Sequence, residues 1–221
     1  PQHSLLGQDL IIVPDRALFC EQPEMLIVAD PHFGKAQTIR EYGIPVPFGT
    51  TKRDLDRLSC LLDEFDARKL IFLGDLTHDK IDSPVNFNRL IDQWRNRHSR
   101  LKLLLASGNH DRRSDGPPVP FRVDYVAEKI QLGPFSFAHK PKSVESEYII
   151  AGHLHPAVSM RGKGRLKETL PCFYFGSRYA ILPAFGSFTG NQTIRPTPED
   201  RVYVIAGDEV LEVKGSVERQ C

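Results

Sequence analysis

The chain has 221 residues, of which 40% are hydrophobic and 26% charged, and its net charge is +1. This composition argues against disorder and is typical of a globular protein with a sizeable core, although the overall charge neither supports nor excludes a polyanionic partner. No apolar stretch approaches the roughly 20 residues that span a bilayer, and no basic segment followed by an apolar one opens the sequence. Four widely spaced cysteines without a C-x-x-C pair predict no zinc knuckle or disulfide framework. We therefore expect one cytoplasmic domain over residues 1–221.

In chain order, short apolar runs rich in β-branched or aromatic residues predict buried strands. They cover residues 10–13, 25–29, 70–73, 101–106, 135–138, 148–151, 172–175 and 202–205.

Between the strands, residues 51–65 predict a helix that begins with threonines able to cap its first turn. One face of this helix carries Leu55, Leu58, Leu61, Leu62 and Phe65. A second helix is predicted to start at Ser83-Pro84, because proline suits a first helical turn. Its apolar positions are Phe87, Leu90, Ile91 and Trp94. Residues 112–120 predict an irregular loop. The alternation of helices and strands, followed by a strand-rich second half, predicts packed sheets flanked by helices.

Histidines follow these strands in a regular way. Six of the eight lie at or shortly after a strand end: His32, His78, His110, His139, His153 and His155. The other two, His3 and His98, are interpreted as structural. Other polar residues accompany the six, namely Asp30, Asp75, Asn109 and Asp111. Loops that leave the carboxyl ends of neighbouring strands converge on one crevice, so these residues are predicted to meet there.

The donors in this set are imidazole nitrogens, carboxylate oxygens and one amide oxygen. Such a set suits Mn, Fe, Zn or similar ions, and its size fits two cations better than one. Two cations about 3.5–4 Å apart can activate a water at neutral pH and neutralise charge on a phosphoryl group. Asp75 has two oxygens available for bridging.

The order of the blocks resembles the calcineurin-like metallophosphoesterase superfamily. Its pattern is D-x-H, G-D-x-x-D/E, G-N-H-D/E, G/A-H and G-H-x-H, and the match runs from Asp30 to His155. The resemblance implies a four-layer α/β/β/α sandwich in which two mixed sheets are flanked by helices.

The resemblance also implies roles for individual residues. One metal would be bound by Asp30, His32, Asp75 and His155, and the other by Asp75, Asn109, His139 and His153. Asn109 and His110 would contact the phosphate, and His110 would protonate the leaving oxygen while Asp111 holds its ring. His78 stands where the pattern more often has an acidic residue. We expect His78 to face the phosphate or a water on the metals.

A narrower resemblance rests on residues 29–36 (ADPHFGKA), Arg40 and residues 43–47 (GIPVP). This segment is similar to the bacterial ligase-associated DNA-damage-response endonucleases, the PdeM family. The resemblance implies manganese-dependent cleavage of single-stranded DNA and association with a DNA ligase and a helicase.

Basic residues near the histidines fit a polyanionic substrate. The expected substrate contacts are Lys35, Arg40, Arg112 and Arg113, and further basic residues occur at 140–142 and 161–167. Lys35 is predicted at the rim of the site, since no P-loop pattern precedes it. Arg40 is either a solvated helix charge or a clamp on a DNA phosphate. Phe33 and Phe48 are either base-stacking rings or core residues.

Two alternative functions remain open from the sequence. The same centre could act on a cyclic nucleotide or a nucleotide-sugar diphosphate, because fold and metals do not dictate the substrate. The chain could also be a non-catalytic protein scaffold, although a degenerate scaffold should have lost metal ligands or the proton donor, and none is missing here.

Overall fold

A seven-stranded mixed sheet is built by the first half of the chain, with its strands in sequence order. The structure, a computed structural model, describes residues 1–78, 84–113, 116–142, 146–161 and 167–214. The strands are β1 (Gln2–Leu5), β2 (Gln8–Val13), β3 (Ala17–Cys20), β4 (Met25–Ala29), β5 (Lys69–Leu73), β6 (Lys102–Ala106) and β7 (Tyr125–Ala127). Strands β1 to β4 are antiparallel and β4 to β7 are parallel. The parallel strands β4 and β5 read as continuous apolar runs because both of their faces are buried, whereas β7 at the edge of the sheet is largely exposed.

The helices of the described chain all lie before residue 122. They are α1 (Lys35–Glu41), α2 (Thr50–Glu64), α3 (Pro84–Arg97) and α4 (Asn109–Arg113), followed by a 3-10 turn at Val119–Phe121. The apolar faces of α2 and α3 pack on the outer face of the first sheet, through Leu58, Leu62 and Ile91 among others. Both predicted helices are therefore present. Ser83, the expected first residue of the second helix, lies outside the described residues.

The predicted threonine cap of α2 is wrong. Gly49 takes the cap position in the left-handed region, at φ 74°, and no side chain caps the helix. The Thr51 hydroxyl instead accepts a hydrogen bond from the Gly34 N–H at 3.1 Å, so it ties the start of α1 to the start of α2. The predicted loop at 112–120 also needs correction at both ends. Arg112 and Arg113 close α4, and Val119 and Pro120 belong to the 3-10 turn.

The second sheet is mixed and contains nine strands. They are β8 (Lys129–Leu132), β9 (Phe135–Ala138), β10 (Tyr148–Ala151), β11 (Pro156–Arg161), β12 (Lys167–Phe175), β13 (Tyr179–Ile181), β14 (Gln192–Thr193), β15 (Arg201–Ala206) and β16 (Glu209–Lys214). Strand β10 is parallel to both β9 and β13, whereas β12 is antiparallel to β11, β13 and β15.

The two sheets face each other across the main core. Ile27 and Ile71 of the first sheet pack there with Phe137, Ile150 and Phe173 of the second. The predicted α/β sandwich of two mixed sheets with flanking helices is confirmed, and in the described residues the long helices α2 and α3 flank the first sheet. Facing sheets with both inner surfaces apolar can dock in few ways, and docking fixes which strand ends become neighbours. No helix in the described part of the chain is long and apolar enough to cross a membrane.

Candidate metal centre

Five loops meet at one end of the sandwich. The loops after the parallel strands β4, β5 and β6 come from the first sheet, and those after the parallel pair β9 and β10 come from the second. Backbone hydrogen bonds join neighbouring loops, such as His32 N–H to the Asp75 carbonyl at 3.0 Å and Gly152 N–H to the His139 carbonyl at 3.1 Å. The convergence expected from the strand order is thus observed.

The backbone is strained at these loops. Asp30, His32, Asp75, His153 and His155 have φ values of 49°, 45°, 46°, 69° and 46°, all in the left-handed region that residues other than glycine seldom adopt. Each such residue costs about 1 kcal/mol or more, and strain of this kind concentrates at functional sites because the surrounding structure holds it. The bend turns side chains from the end of each strand toward the shared crevice.

The first group of donors consists of Asp30, His32 and His155, whose ligand atoms lie within 4.8 Å of one another. Asp30 is fully buried. Its Oδ2 lies 3.5 Å from His155 Nε2, and the same oxygen accepts the His153 N–H at 2.7 Å. The His155 Nδ1–H donates to the Gly190 carbonyl at 3.0 Å, so in the neutral ring Nε2 presents its lone pair to the carboxylate.

The second group consists of Asp75, His139 and His153, also within 4.8 Å of one another. His139 is buried, and its Nδ1–H donates to the Leu73 carbonyl at 3.0 Å. Its Nε2 lies 3.2 Å from Asn109 Oδ1, 3.5 Å from Asp75 Oδ2 and 3.0 Å from His153 Nδ1. Asn109 therefore belongs to this group.

Asp75 lies between the two groups. Its Oδ2 is 3.5 Å from His139 Nε2 of the second group and 4.0 Å from His32 Nε2 of the first. Its Oδ1 accepts the His110 N–H at 2.9 Å. The carboxylate is thus held by the loop after β6 and is placed to be shared.

The arrangement fits bound cations. In a neutral His139 ring the Nε2 lone pair faces two oxygen acceptors, which repel it. Asp30 Oδ1 is buried, lies 3.3 Å from His139 Nδ1 and has no hydrogen-bond partner among the described residues. Buried polar atoms of native proteins are nearly always satisfied, and divalent cations between the donors would satisfy the carboxylate oxygens and imidazole nitrogens that face one another there. The donors are oxygen and imidazole nitrogen, the set that divalent transition metals accept.

Burial keeps some of these ligands neutral. It lowers the pKa of His32 from 6.5 to about 2, with Lys35 and His155 contributing in the same direction. Burial also lowers the pKa of His153, assisted by His139 and Lys140. A neutral imidazole is the form that binds a metal, so neither ring has to release a proton near pH 7.

Two glycines allow the loops to approach the carboxylates closely. A Cβ on Gly108 would collide with the Asp75 carboxylate, and a Cβ on Gly152 would collide with Asp30 Oδ2. These glycines are therefore required by the close approach of loops from different strands.

His110 and His78 stand beside the metal ligands. The side chain of His110 is 21% exposed, and its Nε2 lies 4.0 Å from Asp75 Oδ2. The His78 ring stacks on the His110 ring at 5.0 Å between centroids and meets the His32 ring edge-on at 5.4 Å. His78 is thus turned toward the site and not into the core. Nitrogens of all three rings lie within 4.8 Å of one another.

The predicted contact of Asp111 with the His110 ring is wrong. Both Asp111 oxygens accept backbone N–H groups, from Leu76 at 2.9 Å and from Gly108 at 2.7 Å, while His110 Nδ1 has no hydrogen-bond partner in the part of the chain that the structure describes. Burial raises the pKa of Asp111, and these two hydrogen bonds oppose the shift. Adjacent positions of a helix point in different directions, which is why the side chain reaches the neighbouring loop instead of the ring. Asp111 joins the loops after β5 and β6.

The expected substrate cations occupy different environments. Lys35 lines a shallow pocket together with His32, and burial lowers its pKa against the raising effect of Asp30 and Asp75. Arg112 and Arg113 are exposed, and Arg112 pairs with Glu128 at 3.6 Å. Arg40 contacts its own loop, as described below. Of the basic run at 161–167, residues 162–166 lie outside the described part of the chain.

Three further expectations from the sequence are settled by burial. Phe33 is 1% exposed and packs against Phe121, so it is a core residue and cannot stack on a base. His3 and His98 are structural as expected. His3 Nδ1 lies 3.0 Å from the Tyr203 hydroxyl, and His98 Nε2 lies 2.8 Å from the Ser59 hydroxyl.

A supporting segment at residues 184–190 was given no role by the sequence. Phe185 N–H donates to the Ala29 carbonyl at 2.7 Å and Gly186 N–H to the Asp30 carbonyl at 3.3 Å, so the segment extends β4 at the site. Buried Asp54 on α2 accepts hydrogen bonds from the backbone and hydroxyl of Ser187. This segment contains no titratable residue, and only the buried position of Asp54 on an otherwise apolar helix face could have signalled it.

Comparison with solved structures supplies a relative. The nuclease MPE of Pseudomonas putida is 34% identical, with a TM-score of 0.80, over 96% of this chain and 99% of that chain. The E. coli phosphoesterase YfcE is 11% identical, with a TM-score of 0.42, over 87% of this chain and 99% of that chain. No protein-family model and no curated protein sequence matches the chain.

The fold and the cluster of donors define the class of the protein, a metal-dependent phosphoester hydrolase of the metallophosphoesterase superfamily. Identity of 34% over nearly the full length of both chains is more specific. The chain belongs to the family of the nuclease MPE.

Proposed function

We propose that the protein is a manganese-dependent endonuclease that cleaves phosphodiester bonds of single-stranded DNA in DNA repair. The observation that carries this proposal is the near-complete match to a nuclease at 34% identity. The same chain also forms two groups of possible metal donors, and within each group the ligand atoms lie within 4.8 Å of one another.

Two divalent cations would be held by the side chains already described. Asp30, His32 and His155 would hold one ion, Asn109, His139 and His153 the other, and Asp75 would contact both. When bound, such ions activate water as a nucleophile and neutralise charge on the phosphoryl group. Manganese suits this mixture of oxygen and imidazole donors.

The remaining residues position the substrate and move one proton. His110 is partly exposed and lies beside the bridging carboxylate, so its Nε2–H can donate to the leaving oxygen of a phosphodiester seated over the ions. Its backbone N–H is fixed on Asp75, which limits motion of the ring relative to the centre. His78 stacks on His110 and would donate a hydrogen bond to a phosphate oxygen. Lys35 would neutralise charge at the pocket beside His32.

Exposed cations extend the site for a longer polyanion. Four exposed cations follow the proposed metal ligands Asn109 and His139 in their loops. They are Arg112, Arg113, Lys140 and Lys142. Each cation that neutralises a backbone phosphate adds to affinity and to its salt dependence. We also propose a cytoplasmic protein that works with a DNA ligase and a helicase, which co-purification from cells would test.

Cleavage assays test the proposal. Metal-stripped protein reconstituted with manganese should cleave single-stranded DNA faster than duplex DNA, and His110→Ala should lose that cleavage. A generic ester such as bis-p-nitrophenyl phosphate reports on the metal centre alone. Turnover of the ester without DNA cleavage would exclude the nuclease and favour a cyclic nucleotide or nucleotide-sugar substrate.

A further inference from the structure

The stretch of chain between His32 and α2, beside the metal centre, has no role in the chemistry described above. We call residues 35–49 the projecting segment. It comprises α1 and the loop that leads to α2, it begins three residues after His32, and the Thr51–Gly34 hydrogen bond brings its two ends together at 3.1 Å. The shallow pocket that contains His32 is lined by Lys35 and Ala36 at the start of the segment and by Thr50 and Thr51 directly after its end. The segment therefore projects from the rim of the site.

The segment exposes large apolar side chains, which are costly to leave in water. Tyr42 and Phe48 are each 82% exposed and Ile44 is 56% exposed. Contiguous apolar residues at a surface commonly mark a binding site. Their connection to the pocket of His32 points to a partner that also enters the metal centre, and this partner is the substrate.

The Phe48 ring is held in place. The Arg40 guanidinium lies over it at 4.5 Å from the ring centroid. The same guanidinium donates from Nη1 to the Val46 and Pro47 carbonyls at 3.3 and 2.9 Å. A cation stacked on an aromatic face and fastened to the adjoining backbone restricts the motion of the ring. The ring is thus preorganised, and little entropy is lost when a planar group packs on it.

We propose that Phe48, supported by Arg40, is a stacking platform for an unpaired base of the nucleic acid whose backbone enters the metal centre. This inference rests on the proposed nuclease function. An aromatic ring beside cations is the combination that binds single strands without sequence preference, because every base has a flat apolar face. Paired bases in a duplex cannot stack on an external ring. The platform therefore gives a physical reason for a preference for single strands.

Arg40 then supports the platform and is not primarily a phosphate clamp. A clamp would act on any oligomer with a phosphate backbone, whereas a support would act only through the ring. Arg40→Ala should weaken binding no further once Phe48 has been removed.

Inhibition of ester hydrolysis tests the platform whether or not DNA is cleaved. The readout is the hydrolysis of bis-p-nitrophenyl phosphate expected of the manganese-loaded protein, and an oligothymidylate or an abasic oligomer of equal length is added as competitor. Phe48→Ala should raise the inhibition constant of the oligothymidylate about tenfold. Phe48→Trp should leave it unchanged, and Phe48→Leu should behave like Phe48→Ala. Because Phe48 is exposed, none of these changes should alter ester hydrolysis or folding.

The abasic oligomer is the matched control, since it retains the phosphates and lacks the bases. Its inhibition constant should be the same for the native protein and for Phe48→Ala. Equal inhibition of both proteins by the oligothymidylate would overturn the platform, as would an oligothymidylate that fails to inhibit the native protein. Inhibition that depends on Phe48 without DNA cleavage would retain the platform and reject the nuclease.

Discussion

The two sheets contribute different chemistry to the metal centre. The first supplies both carboxylates and the amide, with Asp30 and Asp75 buried, whereas the second supplies only imidazoles, from His139, His153 and His155. Each sheet also positions donors of the other. The backbone of His153 donates to Asp30, and the ring of His139 donates to the Leu73 carbonyl. The negative charge of the centre thus comes from the first sheet, whereas the second sheet supplies only imidazoles. The centre is complete only when the two sheets dock.

The largest effect should follow removal of the shared carboxylate of the first sheet. Asp75→Asn should lower ester hydrolysis more than about a hundredfold, because Asp75 is the proposed ligand of both ions and loss of a direct ligand should exceed the 10–100-fold effect of outer-shell changes. Bound manganese, measured by elemental analysis, should fall at the same time. Asp63→Asn is the control, since Asp63 forms an exposed ion pair with Arg97. Full activity of Asp75→Asn would mean that Asp75 does not share an ion with the histidines of the second sheet.

A change where a loop of the second sheet contacts a carboxylate of the first sheet should have the next largest effect. Gly152→Ala places a methyl group against Asp30 Oδ2, so the loop after β10 must move away from the carboxylate. We expect about 1–3 kcal/mol of lost stability in denaturant unfolding and a large loss of ester hydrolysis.

The control for this change is Gly190→Ala. A methyl group at Gly190 meets open space, although the residue also lies beside His155. If both variants were equally active, close approach at Gly152 would be irrelevant to the centre.

A smaller effect is expected when the contact between α2 and the segment at 184–190 is weakened. Asp54→Asn weakens the bonds to Ser187 and the ion pair with Arg57, which is 3.4 Å away. Stability should fall by about 1–3 kcal/mol, because buried partners lose hydrogen bonds. Ester hydrolysis should fall several-fold as the segment at 184–190 loosens.

Asp56→Asn on the same helix is the matched control for Asp54→Asn. It removes an exposed pair with Lys52 that contributes at most about 0.5 kcal/mol. Identical unfolding curves for the two variants would show that the segment needs no support from α2.

The smallest effect concerns how stability depends on pH through the buried imidazole of His32. The pKa of His32 in the folded chain, about 2, is below its ordinary 6.5, so the unfolded chain binds more protons between these values. Its contribution to stability is full above pH 6.5 and decreases as the pH falls toward 2. Urea unfolding of metal-stripped protein should show His32→Gln losing less stability than native protein between pH 6.5 and 5.5, by about 1 kcal/mol. Parallel losses would show that His32 is not buried in its neutral form.

The convergence of the candidate metal donors could be predicted because each follows an apolar strand, and parallel strand ends converge by geometry alone. The role of Asp111 could not, because a residue's sequence neighbour is not its spatial partner when both lie on a helix. Phe33 and Phe48 each directly precede a glycine, yet one is core and the other exposed. Only the path of the chain separates them. The segment at 184–190 acts through backbone groups, which sequence patterns do not reveal.

The left-handed backbone at five donor positions sets folding against function. Glycine would adopt these φ values without strain, so selection for stability alone would favour it at Asp30, His32, Asp75, His153 and His155. Aspartate and histidine occupy these positions because glycine cannot bind a cation. The φ values at these positions thus reflect a trade-off between stability and function. Variants selected for heat resistance without a demand for activity should accumulate changes at these positions first.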